Sequence, residues 1–367
     1  MRILQIIHDR QPGGVQKLAD MIEDGLSPRR FAVETLYVYP RAGQLASAKF
    51  AGVLRAIRRI WRGDYDALIA YQSTASVVVG IVGWMAGCRL RVVHQTCTPR
   101  ETPRLLRLLD MLVGTLGLYS VNIANSVATW AEFARYPKQY RRSMILIEHG
   151  LDVPVPTRSR ATVRRVFDLP SSQQIILSVG RLAIQKNQDV LIRALACLPQ
   201  AHLVLAGAGP RQESLRALAV TLGVDDRLHL LGALPAEDIA DLYAAADLFV
   251  FPSTWETFGL AAAEAAMAGL PMVVADLAVL REVLRADATA PVAFVPPHDT
   301  EAWISAIGKA LAAPPPARAA ADFARAVGRK YSRQRMIESY LSLFDACARP
   351  QQGEFAEIPA AAEEVRP

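Results

Sequence analysis

The chain has 367 residues, 52% of them hydrophobic and 21% charged, with 41 Lys and Arg against 35 Asp and Glu for a net charge of +6. Such a composition supports a large buried core and excludes a chain disordered throughout, a collagen-like repeat and a disulfide miniprotein. The length predicts two domains, and four widely spaced cysteines (Cys88, Cys97, Cys197, Cys347) form neither a CxxC pair nor a zinc pattern, so reduced thiols and the cytosol are expected.

The opening MRILQIIHDRQPGG lacks the basic region, long apolar run and small-residue cleavage site of a signal peptide. It predicts a strand, Ile3–Ile7, followed by Gly13 and Gly14. Further short apolar, β-branched runs follow at Val33–Val38, Ala67–Ala70, Val92–His94, Val121–Ala124 and Ile145–Ile147, with helical patterns between them. Two uncharged stretches, Ala67 to Cys88 and Met111 to Ala131, have the roughly 20 residues of a membrane span. Gln72, Ser73 and Thr74 divide the first, and Gly114, Gly117, Ser120, Asn122, Asn125 and Ser126 punctuate the second, so both read as buried α/β core.

LDVPVPTRSR comes next, and Pro154 and Pro156 oppose both helix and central strand, which makes it the expected linker. A second series of runs covers Ile175–Val179, Leu203–Ala206, Leu228–Leu230, Leu248–Phe251, Met272–Val274 and Ala293–Val295. Strands alternating with helices predict βαβ units and a parallel sheet in each half. Ligands of such sheets bind at the carboxyl ends of the strands, here expected in a cleft between the two halves. Met336, Ile337, Tyr340, Leu341 and Phe344 recur at helical spacing in a last helix, and the acidic tail from Pro350 is expected to be disordered. The expected division is 1–153 for a first domain, 154–330 for a second, 331–349 for a helix crossing back to the first, and 350–367 for the tail.

Charge is unevenly spread: residues 1–150 hold 20 Lys and Arg against 11 Asp and Glu. Lys49 to Arg107 alone holds ten basic and three acidic residues, which favours anionic partners such as phosphates or a membrane surface. KFAGVLRAIRRIWRG interleaves Phe50, Val53, Leu54, Ile57, Ile60 and Trp61 with Lys49, Arg55, Arg58, Arg59 and Arg62. PRETPRLLRLLDMLVG sets Arg100, Arg104 and Arg107 beside a leucine-rich face. These are either ordinary helices with solvated basic faces or a peripheral attachment to an anionic leaflet. No nucleic-acid partner is expected, because there is no recognition-helix signature and little aromatic interleaving.

Two segments carry candidate chemistry. SVGRLAIQKN ends a strand at a glycine and supplies Arg181 and Lys186, a planar fork of donors and a movable point charge that suit a polyphosphate. A solvated loop is the plain alternative. PSTWETFGLAAAEAAMAG follows a strand and opens an Ala-rich helix, with Glu256 in the loop or first turn and Glu264 eight residues on. A helical rise would separate that pair by about 12 Å, beyond the carboxylate spacing of either class of glycosidase, so they read as two separate acceptors for hydroxyls of an elongated ligand. The helix N-terminus favours an anion between them.

Taken together, SVGRL-x-x-QKN, LAGAGP, LLGALP and PS-x-x-E-x-FGL-x-x-x-EA resemble, in order and spacing, the GT-B retaining glycosyltransferases of glycosyltransferase family 4. The resemblance covers residues 1 to about 346 and implies an α/β fold of two Rossmann-like doubly wound parallel-sheet domains. It implies that Arg181 and Lys186 hold the nucleotide diphosphate, Glu264 the ribose hydroxyls and Glu256 the donor sugar. Phe258, Gly259 and Leu260 complete the donor loop, and the base lies against backbone near Leu231 and Gly232. In the first domain Gly13 and Gly14 match a glycine loop near the donor phosphates and acceptor, His94 matches a histidine toward the donor sugar, and Ser126 and Asp152 fall on familiar positions. The chain departs from the family at His149, where Asn is frequent, and in lacking glycines near DLAVLREVL and APVAFVPPHD.

The implied reaction is transfer of a hexose from a nucleotide-sugar, a UDP-sugar ahead of a GDP-sugar, to a sugar or lipid-linked glycan in bacterial surface polysaccharide or glycolipid assembly. No metal or separate cofactor is expected, and the implied location is the cytoplasm, with peripheral contact at the inner face of the plasma membrane. A GT-B-type nucleotide-sugar epimerase and a non-catalytic membrane-associated scaffold remain the alternatives. Three further signals are weak. Gly207-Ala208-Gly209 begins like a dinucleotide fingerprint but meets Gln212 where a third glycine belongs, Asp64-Tyr65-Asp66 precedes a strand where a metal-binding DxD would follow one, and the six histidines show no paired spacing.

Overall fold

The structure, a computed structural model, describes residues 1–8, 13–27, 31–39, 46–284 and 290–348, and the expected tail at 350–367 lies outside them. It divides into two compact units, Met1–Gly150 together with the chain from Arg333, and Leu151–Ser332. The divisions therefore fall at 150/151 and 332/333, where 153/154 and 330/331 were expected. Leu151 pairs with Ser332 as an isolated bridge, and its N–H donates to the Tyr331 carbonyl at 2.8 Å, so the strands of chain entering and leaving the second unit run side by side.

The first unit contains β1 (Arg2–Ile7), α1 (Gly14–Leu26), β2 (Ala32–Tyr37), α2 (Ala46–Arg62), β3 (Ala67–Ala70), α3 (Ser73–Met85), β4 (Leu90–His94), α4 (Arg104–Thr115), β5 (Val121–Ala124), α5 (Val127–Glu132), α6 (Lys138–Arg142) and β6 (Met144–Leu146). Its six strands are parallel in the order β2-β1-β3-β4-β5-β6. Ile3, Ile69, Val92 and Ile123 face one core with α1, whereas Leu4, Leu68, Val93 and Ala124 face another with α2, α3 and α4. Helices thus cover both faces of the central strands, which is why β3 reads as an unbroken apolar run, whereas the edge strand β2 carries Glu34 and Thr35 and is at most half-buried.

The second unit contains α7 (Arg160–Val166), β7 (Gln174–Val179), α8 (Asp189–Ala196), β8 (Ala201–Ala206), α9 (Gln212–Thr221), β9 (Leu228–Gly232), α10 (Ala236–Ala245), β10 (Leu248–Phe251), α11 (Leu260–Met267), β11 (Met272–Ala275), α12 (Ala278–Leu284), β12 (Val292–Val295), α13 (Thr300–Ala312) and α14 (Ala317–Lys330). Its parallel order is β12-β11-β10-β7-β8-β9. The chain leaves β7 toward β8 and β9, then returns to β7's other edge as β10, with Leu248 opposite Ile176. This reversal of strand order opens a crevice at the carboxyl ends of β7 and β10, the switch point at which doubly wound sheets bind ligands.

The last helix, α15 (Arg333–Ala348), belongs to the first unit and buries Met336, Ile337, Tyr340, Leu343 and Phe344 in the core with α1. The linker is clamped at its end by buried Asp241. Its carboxylate accepts from the Thr157 N–H (2.6 Å) and hydroxyl (3.1 Å), and from the Arg158 N–H (3.1 Å) and Nε (2.5 Å). Burial alone would raise the pKa of Asp241, but these hydrogen bonds bring it down to about 2. Among the described residues no helix is long and apolar enough to cross a membrane.

Candidate functional site

β7 and β10 lie side by side, so the two motif segments that follow them meet although 70 residues separate Lys186 from Glu256. After Val179 the backbone passes Gly180 and Arg181 into a single 3-10 turn, Ile184–Lys186. Thr254 donates its N–H (2.8 Å) and hydroxyl (3.2 Å) to the Gln185 carbonyl, and Gln185 Nε2 donates to the Trp255 carbonyl at 2.9 Å. Held this way, Lys186 Nζ lies 2.5 Å from Glu256 Oε1, with the two side chains 18% and 10% exposed. The ammonium also sits 4.8 Å from the centroid of the Phe251 ring. Arg181 is exposed, while its carbonyl accepts from buried Gln188 at 3.0 Å.

Main-chain bonds sew the neighbouring loops together. Gly180 N–H donates to the Ala206 carbonyl (2.9 Å), Leu182 to Ala208 (3.0 Å), Arg211 to Leu182 (3.0 Å) and Gly207 to Gly232 (2.7 Å). A Cβ at Gly207 would lie 2.0 Å from the Gly180 oxygen, and one at Gly209 2.3 Å from the Leu182 oxygen. The glycines of LAGAGP therefore serve close packing of two loops, which accounts for the partial dinucleotide signal. Leu231 and Gly232 end β9 half-buried, and a Cβ at Gly232 would meet nothing within 4 Å.

Glu256 sits in the loop four residues ahead of α11, so the helical rise of about 12 Å does not describe its separation from Glu264. Between them Phe258 is buried edge-on against Tyr331, and Gly259 enters α11 at φ +88° ahead of Leu260. Glu264 is 8% exposed and accepts from the Tyr243 hydroxyl at 3.2 Å. Burial and the adjacent carboxylate push the Tyr243 pKa far up, so this tyrosine stays a donor. Sequence reasoning missed Tyr243 because nothing in DLYAAADLFV distinguishes it from an ordinary core aromatic.

In the first unit Gly13 and Gly14 are exposed at the start of α1, and the His8 N–H donates to Gln72 Oε1 at 2.8 Å, linking the ends of β1 and β3. Ser126 caps α5 by accepting from the Thr129 N–H at 3.0 Å, and Asp152 is exposed in the linker. His94 is buried at the end of β4, stacked on Tyr71 (4.8 Å) and Tyr340 (5.9 Å), with Nε2 3.1 Å from the Tyr340 hydroxyl. His149 Nε2 lies 2.9 Å from Asn125 Nδ2, which can only donate, so His149 accepts through a neutral ring. The Asp64-Tyr65-Asp66 segment is structural, with Asp66 accepting the Arg2 N–H at 2.7 Å. His202 and His229, unrelated by spacing, meet across β8 and β9 at 3.0 Å, and among the described residues no third metal-ligating side chain joins them.

Burial and the nearby His149 lower the pKa of His94 to about 3, and burial lowers that of His149 to about 4, from an ordinary 6.5. The unfolded chain takes up these protons below pH 6.5 and the folded chain does not. Stability is therefore complete above that pH and falls as pH drops toward 4 and 3. The expected loss is about 2 kcal/mol per imidazole at pH 5. Urea unfolding from pH 7.5 to 4.5 checks it: His149→Asn should flatten the slope relative to the parent, and an equal slope in both would reject the assignment.

Two doubly wound parallel-sheet units, with a cation–carboxylate pair at the switch point of the second and a further carboxylate on the helix behind it, define a GT-B type of protein. Anabaena HepE, solved in complex with UDP and glucose, has this fold: TM-score 0.79 at 22% identity, over 94% of this chain and 100% of that one. The family profile described as Glycosyl transferases group 1 matches residues 159–327. The D-inositol 3-phosphate glycosyltransferase of Xylanimonas cellulosilytica is 30% identical over 329 residues, 82% of this chain and 76% of that protein. Its namesake from Mycolicibacterium smegmatis is 37% identical over 209 residues, but the match spans 54% of this chain and only 48% of that relative's length. The chain belongs to the glycosyl transferases group 1 family.

Proposed function

We propose that the protein is a retaining hexosyltransferase that carries a sugar from a nucleotide-sugar to an acceptor hydroxyl. The acceptor in this reading is a sugar or lipid-linked glycan of bacterial surface polysaccharide or glycolipid assembly. The observation that carries it is the pairing of Lys186 with Glu256 at the β7/β10 switch point, beside Glu264 held by Tyr243. Arg181 and Lys186 are assigned to the diphosphate, with the backbone N–H groups that open α11 at Leu260. Glu264 is assigned to the ribose hydroxyls, Glu256 to the sugar, and the Leu231–Gly232 backbone to the base. Gly13, Gly14 and neutral His94 are the residues assigned in the first unit. That HepE was solved with UDP and glucose supports a UDP-sugar ahead of a GDP-sugar.

In the reaction, the bond from the anomeric carbon to the β-phosphate oxygen breaks and the diphosphate leaves with the electron pair. The acceptor oxygen bonds to the same face of that carbon, and its proton passes to the departing phosphate. Charge that grows on the β-phosphate is met by Arg181, Lys186 and backbone amides, so the scheme uses no metal ion. Thermal melting with UDP, GDP and ADP tests the site, since a ligand at about 100 times its Kd stabilises the fold by about 2.7 kcal/mol. UDP is expected to raise Tm most. Absence of any shift with all three would reject the site, and conversion of the donor sugar to an epimer without acceptor would reject transfer.

A further inference from the structure

We infer that the outer face of α2, α3 and α4 in the first unit is a docking surface for an anionic phospholipid leaflet. The inference extends the proposed lipid-linked acceptor, but it stands on the surface itself. In α4 the leucines point away from the core: Leu105 is 71% exposed, and Leu108, Leu109 and Leu112, at helical spacing on the same side, are exposed with it. The buried side of the helix instead carries Asp110, Val113 and Gly114. Asp110 accepts from the Tyr119 hydroxyl at 2.9 Å and the Tyr140 hydroxyl at 2.7 Å, and burial raises its pKa. Two buried phenols thus lock the carboxylate inward and the leucine stripe outward, the reverse of a helix packed only by its apolar face.

Exposed apolar side chains continue on the neighbouring helices, which pack against one another in the order α2, α3, α4. Trp84 at the end of α3 is 58% exposed and Met85 follows it, while α2 presents Phe50, Leu54 and Trp61. Several large apolar side chains exposed on three helices that pack in sequence are the kind of surface that marks an interaction site, unlike a scattered single side chain. Its charge selects the occupant. Lys49, Arg58 and Arg62 on α2, Arg89 beyond α3 and Arg104 on α4 are exposed with no carboxylate partner among the described residues. The three helices hold one carboxylate, Asp110, and it is buried. Arg59 does not join the set, because Glu34 holds it at 2.5 Å. Two copies of this face would repel one another, whereas an anionic leaflet offers both hydrocarbon for Leu and Trp and phosphate for Arg and Lys.

Co-sedimentation with vesicles of phosphatidylcholine alone, and of phosphatidylcholine with phosphatidylglycerol, tests the inference. The parent is expected to sediment with the anionic vesicles at low salt and to detach at about 1 M salt, where screening shortens to about 3 Å. Arg58→Gln with Arg62→Gln should weaken partitioning about 25-fold, at about fivefold per charge. Leu108→Ser with Leu112→Ser should weaken it at least about tenfold with no change in thermal melting, since both side chains are exposed. Absence of binding to anionic vesicles at low salt, or binding indifferent to both pairs of substitutions, would overturn the inference. So would concentration-dependent self-association that the leucine substitutions abolish. The UDP melting shift in the same variants separates the two readings: an intact shift without vesicle binding rejects only the leaflet, and vesicle binding without a shift rejects only the nucleotide site.

Discussion

Replacing Lys186 with alanine is expected to lower kcat/KM for sugar transfer by at least about 10²-fold and to weaken UDP binding by a similar factor. The ammonium lies 2.5 Å from Glu256 Oε1, so the substitution does two things: it removes the charge-assisted donor proposed for the diphosphate and leaves a carboxylate only 10% exposed without this partner. Breaking a partly buried pair in this way costs more than the roughly 0–1 kcal/mol of an exposed pair and less than the roughly 3–5 kcal/mol of a fully buried one. Lys186→Ala alone therefore mixes instability with lost chemistry. Adding Glu256→Gln removes the orphaned charge and should return Tm toward the parent value while turnover stays low. Arg181→Ala supplies the contrast, since this exposed side chain should cost nucleotide affinity and no stability. Turnover within about threefold of the parent in both Lys186→Ala and Arg181→Ala would reject the diphosphate assignment.

The two glutamates should fail in different ways. Glu264→Ala is expected to lower affinity for free UDP by about 10–10²-fold, because in the proposed assignment this buried carboxylate, held by Tyr243, accepts charge-assisted bonds from two ribose hydroxyls. Glu256→Ala should leave UDP affinity equal or higher, since Lys186 is then no longer neutralised, and should damage turnover with the intact nucleotide-sugar. Tyr243→Phe, which removes one hydroxyl donor to Glu264 and leaves the carboxylate in place, should raise KM more than it lowers kcat. Titration of UDP beside steady-state kinetics measures all three. Equal losses of UDP affinity at both glutamates would contradict the division between ribose and sugar.

The positions of the strands were readable because central ones such as β3, β10 and β11 lie between two layers of helix and are apolar on both faces. Ala67–Ala70, Val121–Ala124 and Leu248–Phe251 are bounded where their apolar runs end, and the remaining strands differ by one or two residues at one end or, for β2 and β6, by one residue at each end. The candidate donor residues were likewise readable as local motifs, each a glycine or helix start followed by charged groups. Their mutual geometry was not. Lys186 and Glu256 look like independent ligand contacts along the chain, and only the insertion of β10 beside β7 makes them an ion pair. The same limit hid Tyr243 behind Glu264, Glu34 beside Arg59, and the meeting of His202 with His229 across two paired strands.

For α4 the pattern itself points the wrong way. A leucine stripe at helical spacing ordinarily marks the side that packs, yet here the packing side is chosen by Asp110, whose two tyrosine partners come from Tyr119 and Tyr140, beyond the end of the helix. What the sequence determined by itself is local: alternating apolar runs and helices, the glycine-bounded loops, the charged groups within them, and the chemistry those groups can perform. What the tertiary structure decided is the order of strands, the face of α4 that packs and the partner of every buried charge, whereas the return of α15 to the first unit was already expected. The physical reason is that burial of apolar surface is nearly indifferent to which neighbour supplies it, whereas a buried charge or hydroxyl must find one particular partner, and that partner lies wherever the topology brings it.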